Sequence, residues 1–206
     1  MAIVFYSAPY SSALPVACAL NELAVPHERI TIDLASGAQK KPEFLKLNPN
    51  GTVPTLVVDG TPMFETLAIV QWLGDRYGVA KKLWPAFDEP ARLTALSWTA
   101  WCYVTCGAQV MRLNQAGSER SPAELRHQGT ADSARSALME LFGLLDARLA
   151  QQPNMLGDDY SLVDSLLSNM VRYTTLIGID VSSLKNVAAW VERCQSRPAM
   201  RAEWGG

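Results

Sequence analysis

The dipeptide Val53-Pro54 stands where the turn Asn48-Pro49-Asn50-Gly51 gives way to a strand-forming run beginning at Thr55. Proline has no N–H to give to a sheet ladder and is normally confined to strand starts, edges and bulges. An X-Pro bond takes the cis form at modest cost, and a cis proline is normally a fixed kink. A kink here turns the Val53 backbone outward. Its N–H and C=O are then free for an extended, peptide-like guest, much as a sheet edge accepts another strand.

Two further groups converge on that edge. Phe64-Glu65-Thr66 lies where a strand hands over to a helix. Thr66 and the N–H groups at the helix start suit a carboxylate, and Glu65 beside them suits an ammonium group. Upstream, Gln39 with Lys40 or Lys41 offers partners for a second carboxylate. A guest with an amino-acid head, an amide backbone and a distant carboxylate describes glutathione.

These residues need a scaffold, and the hydrophobic pattern predicts one. Ala2–Ser7 and the alternating stretch from His27 read as strands, with a helix between them over Leu14, Ala17, Cys18 and Leu23. Ser11 or Ser12 would cap that helix, with Pro15 in its first turn. A short helix over PEFLKL ends at Asn-Pro and Asn-Gly. TLVVDG and TPMFE form a hairpin about Asp59-Gly60. An amphipathic helix follows, with Leu67, Val70, Leu73 and Tyr77 on one side and Gly78 at its end. The first eighty residues thus read β-α-β-α-β-β-α. Residues 81–90 carry two prolines and read as a linker. From residue 91 to 206 the pattern is helical, in segments near 90–110, 122–150, 162–177 and 184–195. The expected fold is a small α/β domain followed by an all-helical domain.

Composition narrows the function classes. The chain has 206 residues, a net charge of −2 and 18% charged residues, with no basic run, so nucleic acid and anionic membranes are poor partners. No apolar stretch approaches a membrane span and no signal peptide is evident, so the expected compartment is the cytoplasm. The four cysteines, Cys18, Cys102, Cys106 and Cys194, include no CxxC pair. Cys102 and Cys106 fall on one helix face, as a redox pair or as two small core side chains. His27 and His127 have no ligand-like spacing, so no metal site is expected.

PEFLKLNPNGTVPTLVVDG followed by FETLAIVQWLGDRYG resembles the cytosolic glutathione transferases, and the likeness spans nearly the whole chain. The resemblance implies a thioredoxin-like glutathione-binding domain over 1–80, an all-α domain over 91–206, and a homodimer. YSLVDSLL resembles the family's helix-start box, with Ser161 as N-cap and Asp164 at N3. Val163-Asp164 replaces the more frequent Ala-Asp. By this likeness Pro54 is the cis proline, Val53 binds the cysteinyl backbone, and Glu65 and Thr66 hold the γ-glutamyl end. Gln39 and Lys40 face the glycine carboxylate, with Gln39 in place of a more usual histidine.

Glutathione transfer requires a thiolate, and a free thiol with a pKa of roughly 8.5 is mostly protonated at neutral pH. A hydroxyl donating to the sulfur, near a helix N-terminus, lowers that value. The loop FYSAPYSSALP offers Tyr6, Ser7, Tyr10, Ser11 and Ser12, and no cysteine. Ser11 aligns with the serine of theta- and delta-like enzymes and the cysteine of beta-like ones, so the resemblance makes it the catalytic residue, ahead of Ser12 and Tyr10. Trp101, Tyr103 and Met111 would line a pocket for a small hydrophobic electrophile or belong to the core. The resemblance implies conjugation to that electrophile. Peroxidase, isomerase or dehalogenase chemistry, or binding without turnover, are its alternatives.

Overall fold

A computed structural model describes residues 1–205. They form two compact units. The first holds Met1–Glu89 and the C-terminal residues from Arg197, and the second holds Pro90–Ser196.

The first unit is built on a four-stranded sheet of β1 (Ile3–Ser7), β2 (Glu28–Thr31), β3 (Thr55–Val58) and β4 (Thr61–Phe64), in the order β2-β1-β3-β4. β1 and β2 are parallel, while β3 is antiparallel to both β1 and β4. The β1–β2 crossover is α1 (Leu14–Glu22), which a parallel pair requires. Asp59 and Gly60 both take positive φ, 46° and 84°, as the predicted two-residue hairpin turn demands. Alternation along β1 buries Ile3, Phe5 and Ser7 on one side and leaves Val4 and Tyr6 half-buried on the other. Tyr6 meets the ring of Phe44 edge-on at 5.7 Å, so α2 (Pro42–Leu45) covers that face. α3 (Thr66–Leu73) packs against α1.

Three features of the first unit differ from the sequence reading. The N-cap of α1 is Ala13, not Ser11 or Ser12. Leu14 N–H bonds the Ser11 carbonyl instead, so the serines occupy the turn that precedes the helix. The third helix gives way at Gly74 to a π-helical turn, Gly74–Gly78. A Cβ at Gly74 would lie 2.6 Å from the Trp84 ring, so glycine leaves the indole room to approach the backbone there. A last helix, α9 (Pro198–Trp204), was not anticipated, and residues from Arg197 on join the first unit instead of the helical domain expected over 91–206. The reason is nonlocal. Arg197 forks both oxygens of Glu22 at 2.6 and 2.8 Å, Glu203 pairs with Arg29, and Met200 packs with Leu14 and Cys18 of α1.

The second unit is helical. It comprises α4 (Ala91–Trp101), α5 (Gly107–Gly117), α6 (Gln128–Leu149), α7 (Leu162–Leu176) and α8 (Lys185–Gln195). A π-helical turn, Cys102–Cys106, joins α4 to α5. The long helix begins at Gln128, later than the expected 122, because residues 123–125 form a separate 3-10 turn. Its buried residues Ala131, Ala134, Leu138, Phe142, Leu145 and Leu149 recur at three- and four-residue intervals, one stripe of the helix. Both Ser161 and Asp164 complete the predicted capping box of α7.

Candidate functional site

The site lies in the first unit, where the loop after β1, the chain entering β3 and the start of α3 meet. Local sequence builds the middle piece. Buried Asn48 donates to the Thr52 carbonyl at 2.8 Å and to the Thr55 hydroxyl at 3.2 Å, and accepts Asn50 N–H at 3.0 Å. This clamps the turn so that Val53-Pro54 follows it in a fixed position. The Val53–Pro54 peptide is cis. Val53 is 5% exposed, and among the described residues no acceptor takes its N–H. Asn48 escaped the sequence reading, although its place at the head of Asn-Pro-Asn-Gly is a signal for such a clamp.

Glu65 has φ 70° and ψ 119°, a sparsely populated conformation for a residue with a side chain. It is exposed and precedes the first turn of α3. The earliest bond within that helix is Ile69 N–H to Glu65 C=O, so the preceding N–H groups have no partner in their own helix. Thr66 is 3% exposed, and its hydroxyl donates to the Ser12 carbonyl at 2.7 Å. The Thr66 proton is therefore directed at the serine loop, not outward.

The serines differ in their bonding. Ser11 is half-buried, donates to the Ala8 carbonyl at 2.6 Å and accepts Ala13 N–H at 3.2 Å. Ser12 is exposed and donates to the Val53 carbonyl at 2.8 Å. Tyr10 takes φ 51° and is 83% exposed, while Tyr6 stays within β1. No cysteine lies in the loop, and all four cysteines are buried. Burial pushes the Cys106 thiol up to about 12, and burial together with the neighbouring Cys106 holds the Cys102 thiol well above the usual cysteine value, so these two are core thiols.

Gln39 and Lys40 form a 3-10 turn beside the Asn50-Gly51 segment. Lys40 Nζ donates to the Asn50 carbonyl at 2.9 Å. Gly51, at φ 58°, makes this approach possible, since a Cβ there would lie 2.8 Å from Lys40 Cδ and 2.9 Å from the Gln39 carbonyl. The Gln39 Oε1 is buried and has no hydrogen-bond partner among the described residues. The structure thus joins Ser12, Val53 and Thr66 by direct hydrogen bonds, and joins Lys40 to the Asn50–Gly51 turn. In the second unit, Trp101 stacks edge-on against Trp98 at 5.1 Å and Met111 is 74% exposed.

Residues 10–76 match the glutathione S-transferase N-terminal domain and residues 116–198 the corresponding C-terminal domain. The chain is 33% identical over 185 residues to glutathione S-transferase GstB of Escherichia coli K12, covering 88% of this chain and 87% of that protein. It is 28% identical to the E. coli disulfide-bond oxidoreductase YfcG, with 96% and 92% of the two chains covered. The crystal structure of the theta class glutathione S-transferase of Xanthomonas axonopodis pv. citri, with glutathione bound, superposes with a TM-score of 0.86 at 28% identity, covering 100% of this chain and 98% of that one. With both domain matches, a curated relative at this identity and the shared fold, the chain belongs to the glutathione S-transferase family.

Proposed function

We propose that this glutathione transferase joins the glutathione thiolate to small hydrophobic electrophiles, with Ser11 activating the thiol. The observation that carries the binding mode is the Val53 edge. Its N–H is without an acceptor next to a cis proline, beside the unbonded first turn of a helix. Val53 pairs with the cysteinyl backbone of the guest. The N–H groups of Thr66 and its neighbours take the γ-glutamyl carboxylate, and Glu65 takes the ammonium. Gln39 and Lys40 face the glycine carboxylate.

Ser11 is favoured over Ser12 and Tyr10 by its bonding. A hydroxyl that already accepts an N–H is polarised into a better donor, and Ser11 accepts Ala13 N–H at the mouth of α1. Its proton swings from the Ala8 carbonyl to the sulfur. That bond, with the positive potential of the helix start, stabilises the thiolate, and the thiol proton passes to solvent. The thiolate then attacks an electrophilic carbon, the new C–S bond forming as the leaving group departs with its electron pair. Membership of the family supports a homodimer in the cytoplasm and a role in detoxification. Among the described residues no helix is long and apolar enough to cross a membrane.

Calorimetric titration with glutathione and S-methylglutathione tests the site. Binding of both is expected, and absence of binding at millimolar concentrations refutes it. In Ser11→Ala, kcat for a chromogenic aryl halide should fall by about 10²-fold with S-methylglutathione affinity retained. Should Ser12→Ala alone show that loss, the activating hydroxyl is Ser12.

A further inference from the structure

Two hydrogen bonds cross the site between segments far apart in sequence. The Thr66 hydroxyl donates to the Ser12 carbonyl at 2.7 Å across 54 residues, and the Ser12 hydroxyl donates to the Val53 carbonyl at 2.8 Å across 41. We infer that Thr66 and Ser12 are positioning residues: a two-bond relay from α3 through the serine loop to the Val53 edge, which sets where the bound thiol lies relative to Ser11. This inference rests on the glutathione-binding reading above.

The chemistry of each hydroxyl supports it. A hydroxyl has one proton to donate. Buried Thr66 directs its proton at Ser12, so the side chain acts on the loop instead of donating to a carboxylate. Ser12 receives that bond on its carbonyl and passes a second from its side chain, so one residue anchors the loop at both points. The Val53 carbonyl keeps a second lone pair for the guest amide. Ser11 is the neighbouring residue, so any shift of the Ser12 peptide displaces the Ser11 hydroxyl. A displacement near 1 Å in a reacting pair is worth about 10²-fold in rate. Part of that loss is therefore expected when either bond is removed.

The test compares the wild-type chain with Thr66→Val, Thr66→Ser, Ser12→Ala and the Thr66→Val/Ser12→Ala double variant. Two quantities are read: affinity for S-methylglutathione by calorimetry, and the pH midpoint of thiolate absorbance in the glutathione complex. Thr66→Val and Ser12→Ala should each raise the midpoint by about one pH unit, a tenfold loss of thiolate, with S-methylglutathione affinity within about threefold of wild type. Thr66→Ser should restore the midpoint. The double variant should be no worse than the poorer single, because both substitutions break one chain of bonds. An unchanged midpoint in Thr66→Val, or strictly additive effects, overturns the relay. So does loss of the thiolate in Ser12→Ala alone, which makes Ser12 the activating group. Exposed Ser12 keeps the test available if Thr66→Val does not fold. Wild-type protein that binds neither ligand removes the glutathione reading and the relay with it, whereas wild-type binding with an unchanged Thr66→Val midpoint removes the relay alone.

Discussion

Replacing Asp164 should be the most damaging single change in the helical unit. Its carboxylate accepts Met155 N–H at 2.7 Å and the Trp190 indole N–H at 2.9 Å on one oxygen. The other oxygen takes Ser161 N–H at 2.9 Å and the Ser161 hydroxyl at 2.7 Å. Asp164, Met155 and Trp190 are fully buried. In Asp164→Ala the serine hydroxyl can turn elsewhere, but three N–H donors cannot. Each orphaned donor costs about 1–3 kcal/mol, and release of the carboxylate from its burial offsets part of the sum, so a net loss of about 4 kcal/mol is expected. Asp164→Asn keeps one oxygen for Met155 and Trp190 but sets an NH2 against Ser161 N–H, so about 1–3 kcal/mol is expected. Burial raises the Asp164 carboxyl above the usual aspartate value, although its four hydrogen bonds pull the other way. A raised folded value means that the unfolded chain loses this proton first. The contribution of the group is then full below the unfolded value and declines as pH rises towards the folded one. The margin of wild type over Asp164→Asn should therefore shrink from acid to neutral pH. Urea unfolding followed by tryptophan fluorescence at two pH values measures all three proteins. An Asp164→Ala midpoint corresponding to less than about 1 kcal/mol of destabilisation, or a margin that widens with pH, refutes the reasoning.

Other expectations can be checked alongside. Arg197→Met leaves Glu22, whose side chain is 6% exposed, without its fork. The change should cost about 1–3 kcal/mol and raise the hydrogen exchange of α9, because a buried carboxylate loses its partner; unchanged exchange there would count against the docking contact. Gly51→Ala places a Cβ against Lys40 and the Gln39 carbonyl at a left-handed φ. Stability should fall by about 1 kcal/mol or more, and glutathione should bind more weakly because Lys40 is displaced; wild-type affinity for the ligand would show that this turn takes no part in binding. Cys102 and Cys106 should resist a thiol reagent at neutral pH until the chain unfolds, since both are buried and their thiols are held protonated. Rapid labelling of the native protein would contradict their place in the core.

The sequence by itself determined what depends on neighbours a few residues apart. The Asp59-Gly60 turn was legible because few other residue pairs tolerate two positive φ angles in succession. The box at Ser161 and Asp164 was legible because both partners lie within one helical turn. The β-α-β-α-β-β-α order followed from hydrophobic period, and the kink at Val53-Pro54 was marked by a proline at the threshold of a strand. Only the tertiary structure decided which hydroxyl bonds to what. Ser11 and Ser12 look alike in sequence, yet one closes on Ala8 and the other reaches Val53. Thr66 looked like an outward-facing donor until the loop after β1 was laid against it. Arg197, the residue before α9, pairs with Glu22 of α1, and Glu203 within it pairs with Arg29 of β2, each some 175 positions earlier, so no local pattern could assign this segment to the first unit. Local preferences fix turns, caps and periods. The partner of a hydroxyl or a guanidinium is chosen by chain segments that meet only once the sheet and its helices have closed.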